Sequence, residues 1–260
     1  MNFDFLRPIA RRELGTSRPL FITISGAHLY GFPSPDSDFD VRGCHLLPLP
    51  EVLSLKAPRE TRQYTGIEDG REIDFVSHDA GKFFRLMLRK NGYVMEQIFS
   101  PLVVEGGAAF EELREIARGC VTRHIVHHYR GFAENELLNL DDQAEKRVKT
   151  TLYAYRVLLT GIHVLRTGAI EADLRALLAL RPLERVAELI ERKTAGAEKG
   201  TLPPEDAAWH REALTRLRAE LETAAVESTL PEAPPKADAL DDLLIRLRLA
   251  SGSFEAAQPP

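Results

Sequence analysis

Between Ile24 and Gly43 the chain reads ISGAHLYGFPSPDSDFDVRG, and the end of this stretch constrains the fold more than any other feature. Asp38 and Asp40 are separated only by Phe39 and followed by Val41, the alternation of a half-buried strand. Residues i and i+2 of a strand share a face, so the two carboxylates stand together with Cα atoms about 6.5–7 Å apart. Phe39 and Val41 then face a core. Two like charges on one face are destabilising unless a cation or a proton neutralises them. The fold must therefore bury one side of this segment and offer the other to something positive.

The surroundings supply a sheet. LFITIS (Leu20–Ser25) reads as a buried strand that ends in Ser25-Gly26, and DFDVRGCHLL (Asp38–Leu47) as a second strand. TRQYTG and REIDFVS flank IEDG, whose Asp69-Gly70 pair is a hairpin turn. Helical patterns follow over about 78–90 and 93–99. The expectation for residues 1–105 is an α+β domain, a small mixed β-sheet with helices on one face. After residue 105 strand signals vanish. Helices are expected over about 108–119, 122–138, 143–167, 183–193, 205–226 and 239–249, separated by Gly168, Pro182, Pro203-Pro204 and PEAPPKAD. Residues 106–250 thus read as an all-α helical domain and 251–260, SGSFEAAQPP, as a disordered tail. Val148, Leu152, Tyr155, Leu159 and Ile162 form an apolar stripe at helical spacing along the longest helix.

Composition excludes some functions. A formal net charge of −5 rules out blanket binding to nucleic acid or anionic membrane, so any affinity for polyanions is local. No run reaches the roughly 18 apolar residues of a membrane helix, and MNFDFLRPIARREL has no apolar signal core; the expectation is a cytoplasmic protein with no membrane partner. Cys44 and Cys120, the only cysteines, are expected to be free thiols.

A third acid, Asp74, lies between Ile73 and Phe75 in a strand-like run. If its strand neighbours that of Asp38 and Asp40, three carboxylates meet in one patch. Hard divalent cations suit such oxygen ligands, and Mg²⁺ binds through one or two carboxylates plus substrate phosphates. Two metals about 3.5–4 Å apart serve in-line displacement at phosphorus. The Ser25-Gly26 turn, opening a helix-compatible AHLYG, offers backbone N–H groups to a phosphate, and Gly26 permits close approach.

At these residues the sequence resembles the nucleotidyltransferase superfamily that includes DNA polymerase β. SGAHLYGFPSPDSDFDVRG and YVMEQIFSPLVV are most similar to a bacterial branch of predicted nucleotidyltransferases, some associated with RNA-repair ligases. The resemblance implies a palm-like catalytic domain and transfer of a nucleoside monophosphate from a nucleoside triphosphate to an acceptor hydroxyl, with release of pyrophosphate. It implies that Gly26 holds the triphosphate, that Asp38 and Asp40 ligate two Mg²⁺ or Mn²⁺ ions, and that Asp74 helps one metal activate the acceptor. One departure stands out: Ala27 occupies a position where the family pattern has Gly or Ser, which leaves Ser25 and the backbone to contact phosphate. Two other functions share these features, a catalytically silent nucleotide-binding or antitoxin-like interaction protein and a small-molecule nucleotidyltransferase of the antibiotic-modifying type. The acceptor is open: a nucleic-acid end, a protein or a small molecule.

Lys149, Tyr153 and Arg156 follow one another at i, i+4 and i+7, with Thr160 and His163 continuing the line. They form a basic and aromatic wall over a cleft between the two domains, or an ordinary exposed flank. In the first case Lys149 or Arg156 meets the triphosphate and Tyr153 stacks on the base. Arg42 shares the acids' face by parity and either neutralises Asp40 or touches phosphate. His28 is a candidate for phosphate or acceptor contact. His124, His127 and His128 sit within one turn, without a Cys partner or zinc-like spacing, and read as helix-surface residues.

Overall fold

Helix α1 (Leu6–Leu14) comes first and strand β1 (Arg18–Ile24) follows it, entering as an apolar run that is buried from Leu20 onward. The computed structural model describes residues 3–142, 147–196 and 200–255. Beyond β1 come a single helical turn, α2 (Gly26–Leu29), strand β2 (Phe39–Leu46) and the short helix α3 (Leu49–Leu53). Strands β3 (Thr61–Glu68) and β4 (Arg71–Asp79) form the expected hairpin. Asp69 and Gly70 both have positive φ, 49° and 75°, the backbone that a two-residue hairpin turn requires. Helices α4 (Ala80–Leu88) and α5 (Gly92–Phe99) and the edge strand β5 (Val103–Glu105) complete this part.

The sheet order is β3-β4-β2-β1-β5. All neighbouring pairs are antiparallel except β2 and β4, which run parallel. The helical pattern expected from residue 78 begins at Ala80, because β4 runs on to Asp79, whose carboxylate caps α4 by accepting from the Gly81 N–H at 2.9 Å.

Downstream of β5 the described elements are helices: α6 (Ala108–Arg118), a 3₁₀ turn at Arg123–Ile125, α7 (Val126–Asp142), α8 (Val148–Thr167), α9 (Leu174–Leu180), α10 (Glu184–Ala195), α11 (Pro204–Glu227) and α12 (Ala237–Glu255). The start of the helix expected from residue 143 lies outside the described residues. Helix α12 runs through 251–255, which the sequence assigned to a tail; the tail expectation for 256–260 lies outside the described residues. No helix among the described residues is long and apolar enough to cross a membrane.

Two hydrophobic clusters flank the sheet. The larger runs from Leu20 and Phe21 of β1 through α4 to α6 and around α8 to Leu247 of α12. Helix α8 packs on α7, α9, α10 and α11, and its stripe from Val148 to Ile162 is buried. The smaller cluster joins Ile22, Ile24, Val41, Ile73 and Phe75 to Leu6, Ile9, Ala10 and Leu14 of α1. Besides the helices expected on one face, the sheet thus carries α1 on the other. Cys44 and Cys120 are buried and free.

Candidate active site

Ser25 ends β1 with its N–H donating to the Asp40 carbonyl at 2.8 Å, which ties the turn before α2 to the start of β2. Gly26 follows with φ +60°. A Cβ there would lie 1.7 Å from Asp40 Oδ2, so both the backbone angle and the space require glycine. Phe39 and Val41 point into the α1 cluster, as alternation demands, and Asp40 and Arg42 take the opposite face.

Asp40 and Asp74 are direct partners across the parallel β2–β4 pair. Both carboxylates meet the same nitrogen. Arg42 Nη2 donates to Asp40 Oδ1 at 2.5 Å and to Asp74 Oδ2 at 2.7 Å. Arg42 Nη1 donates to the Asp74 carbonyl at 2.6 Å and the Val41 carbonyl at 3.1 Å. Its Nε donates to the Tyr93 hydroxyl of α5 at 2.6 Å. Thr65 of β3 donates to the other Asp74 oxygen, Oδ1, at 3.3 Å.

One guanidinium is shared by this group of acids. Burial raises the Asp40 carboxyl to about 6; Arg42 opposes the shift, the charges of Asp38 and Asp74 add to it, and Lys149 on α8 opposes it. Asp38 sits just before β2, half-buried, and its charge acts on Asp40 and on His28. The three acids expected from sequence are thus brought to one patch. As they stand, no three His, Cys, Asp or Glu side chains among the described residues are grouped to enclose a metal ion.

The other expected residues divide. Lys149 and Tyr153 reach this neighbourhood: the Lys149 ammonium lies 5.9 Å from the Tyr153 ring centre and acts on Asp40. Tyr153 stands edge-on to Tyr30 and Phe32, and burial, with Asp40 nearby, raises its hydroxyl pKa. Arg156 is placed elsewhere. It is buried in the core, donates to Glu96 of α5 at 2.6 Å, and lies 4.0 Å over the Tyr30 ring. The hydroxyls of Tyr30 and Tyr129 complete the bonds of Glu96, so Arg156 is committed to a buried ion pair and does not face a triphosphate. Arg42 likewise neutralises the acids, with its donors occupied within the chain.

Ala27 belongs to the larger core cluster, so its methyl faces inward and the turn presents backbone at that position. Ser25 is fully buried, its hydroxyl without a hydrogen bond of good geometry. Helix α2 has only four residues, so its start offers backbone N–H groups with little helix dipole behind them. His28 stacks flat on Phe39, ring centres 4.6 Å apart, and the pair walls an open pocket of about 610 Å³ bordered by the 33–37 loop and the β3–β4 turn. Burial holds the His28 imidazole below its ordinary pKa, against the pull of Asp38.

The three histidines lie on the 3₁₀ turn and the first turn of α7. His124 and His127 stack at 5.9 Å, and His128 packs against Gly92, Tyr129 and Phe132, with burial lowering its pKa to about 4. Two residues of consequence had no role in the sequence reading. Tyr93 anchors Arg42, and Glu96 neutralises Arg156; both lie in YVMEQIFSPLVV, whose helical pattern was legible but whose polar partners were not.

Comparison with known proteins identifies the family. The chain is 31% identical over 161 residues to an uncharacterized protein of Methanocaldococcus jannaschii, a match covering 62% of this chain and 66% of that one. It is 27% identical over 182 residues to the uncharacterized protein YcgL of Bacillus subtilis, covering 67% and 69%. A nucleotidyltransferase-like protein from Exiguobacterium sibiricum aligns structurally over 96% of this chain and 76% of its own, at 12% identity and a TM-score of 0.33. The family model described as the RNA repair pathway DNA polymerase beta family matches residues 4–246. The chain, with Asp40 on β2, Asp38 just ahead of that strand and Asp74 on β4, belongs to that family of polymerase β-type nucleotidyltransferases.

Proposed function

We propose that the chain is a divalent-cation-dependent nucleotidyltransferase that moves a nucleoside monophosphate from a triphosphate to an acceptor hydroxyl and releases pyrophosphate. The observation that carries this reading is the register of Asp40 against Asp74, both on one guanidinium nitrogen, with Asp40 pressed on Gly26.

The residues fit a cation. Asp40 is raised to about 6 by burial and by its acidic neighbours despite Arg42, so the patch is short of positive charge. Asp40 Oδ2, not bonded to Arg42, lies against Gly26 and fills the space a Cβ there would take. Asp38 and Asp40 would hold Mg²⁺ or Mn²⁺, with Asp74 held beside them by Arg42. Bound there, such a cation would neutralise phosphate charge and lower the pKa of a hydroxyl bound to it.

The chain's own groups do the rest. Backbone N–H groups at Gly26 and Ala27 and the cationic Lys149 orient the triphosphate, and Tyr153 borders the same space. Asp74 faces the acceptor hydroxyl and orients it for attack on the α phosphorus. Arg42 fixes Asp40 and Asp74 relative to each other, so the acids do not reorganise during the reaction. Positioning and charge stabilisation dominate the rate of such transfers. The family's description as an RNA repair group makes RNA ends the first acceptors to try.

The test is a matrix of the four ribonucleoside triphosphates against RNA ends, small hydroxylated acceptors and protein, each with Mg²⁺ and Mn²⁺, read as pyrophosphate release. Turnover by the wild type that is lost in Asp38→Ala supports the reading. A folded wild type inert across the matrix, yet binding a triphosphate, favours the silent nucleotide-binding alternative.

A further inference from the structure

We infer that Arg42 permanently fills the cation position between Asp40 and Asp74, so that the site takes one exchangeable divalent cation, on the Asp38 and Asp40 Oδ2 side, and not two. This rests on the proposed nucleotidyltransferase function and fixes how its metal site is populated.

The argument begins with hydrogen-bond capacity. A guanidinium has five N–H donors and no acceptor. Arg42 places all of them: one on Tyr93, two on the carbonyls of Val41 and Asp74, and two on the carboxylates of Asp40 and Asp74. Its side chain is only 9% exposed. To leave, it would give up five bonds at once and strand its charge in the core.

Its acceptors are held as firmly. Val41 and Asp74 lie within paired strands, and Tyr93 is in the first turn of α5, its N–H bonded to the capping Asn91 side chain at 3.0 Å. The guanidinium therefore occupies a cradle built from β2, β4 and α5 together, unlike a surface arginine that swings to meet a ligand.

The carboxylate oxygens then divide into two sets. Asp40 Oδ1 and Asp74 Oδ2, the pair a bridging metal would use, both bond the same Arg42 nitrogen. The remaining oxygens diverge. Asp40 Oδ2 turns to Gly26, and Asp74 Oδ1 turns to the Thr65 hydroxyl on β3. A cation at Asp40 Oδ2 also draws on the charge of Asp38, which acts on Asp40, with bound phosphate to complete its shell, the arrangement Mg²⁺ favours. A second cation joining Asp74 to Asp40 meets a positive charge already in place.

The experiment counts Mn²⁺ bound per chain, by electron paramagnetic resonance on the full-length protein saturated with a non-hydrolysable triphosphate analogue, so that no turnover is needed. Wild type is expected to bind one Mn²⁺, and Arg42→Gln, checked for folding by circular dichroism, to bind two. Two ions on wild type overturn the inference and leave the nucleotidyltransferase reading standing. No ion on wild type, with the analogue bound, overturns both. One ion on a folded Arg42→Gln also overturns it, since Arg42 is then not what excludes the second. Should Arg42→Gln not fold, the wild-type count decides alone.

Discussion

Replacing Asp40 by asparagine should make the cation-free protein more stable while disabling it. The carboxyl is raised from 3.8 to about 6, chiefly by burial, with Arg42 already counted against the shift. About two pKa units at 1.36 kcal/mol each set an upper bound of roughly 3 kcal/mol on the strain of keeping Asp40 charged at pH 7.5. Asparagine copies the shape of the protonated acid and keeps an oxygen for Arg42, while Asp74 remains as the counter-charge. Its new N–H donors lack assigned partners, so the expected gain is about 1–3 kcal/mol, or some 2–4 °C in Tm per kcal/mol for a chain of this size. The sign follows from linkage: a carboxyl with a higher pKa folded than unfolded destabilises fully above the folded value, and the effect fades as pH falls toward the unfolded one. The advantage of Asp40→Asn should therefore be full at pH 7.5 and nearly gone at pH 4. Thermal melts of both proteins in EDTA at the two pH values read it directly. Destabilisation of Asp40→Asn by more than about 1 kcal/mol at pH 7.5, or a gain that ignores pH, would refute the reasoning.

Three further outcomes follow from the same geometry. Gly26→Ala forces a Cβ onto Asp40 Oδ2 at a φ of +60°, so Mn²⁺ binding and transfer should fall at least tenfold while unfolding in urea shifts by only about 1–2 kcal/mol. Arg156→Ala leaves Glu96 charged and unpaired in the core, which should destabilise by about 3–5 kcal/mol in denaturant melts; Arg156→Met with Glu96→Gln should recover much of it. Arg248 of α12 donates to Asp79 at 2.5 Å and to the Leu47 carbonyl at 3.3 Å, so Arg248→Ala should loosen α12 from the sheet, seen as faster amide exchange in α12 ahead of global unfolding.

The acidic face was legible because strand parity is strict. Phe39 and Val41 had to enter the core, which left Asp38 and Asp40 outward, and Ile73 and Phe75 did the same for Asp74. The Asp69-Gly70 turn fixed the β3–β4 hairpin, and that hairpin brings Asp74 to a strand beside β2. Parity could not reveal that β2 and β4 run parallel and in direct register; this depends on how the segment from α3 to β3 crosses over, a non-local matter.

Helix periodicity was a weaker guide. It found the buried stripe of α8 but read Arg156 and Thr160 as a cleft wall or an exposed flank, whereas four neighbouring helices bury α8 on more than one side. A single stripe cannot report that. Helix α1 was missed although Leu6, Ile9, Ala10 and Leu14 have helical spacing; Pro8 in its first turn is compatible with a helix start, and only the second face of the sheet gives those residues something to cover. Arg42 was ambiguous from sequence, since a guanidinium beside acids serves either partner or phosphate. What decides it is Tyr93, fifty-one positions away.

The most direct test uses a triphosphate labelled on the α phosphorus, incubated with an RNA 3′ end and Mn²⁺. Transfer of label to the RNA by the wild type, with a loss of at least a hundredfold in folded Asp40→Asn and Asp74→Asn, is the predicted result. Label transferred at near wild-type rates by either variant would contradict the account, because the chemistry would then be done by other groups.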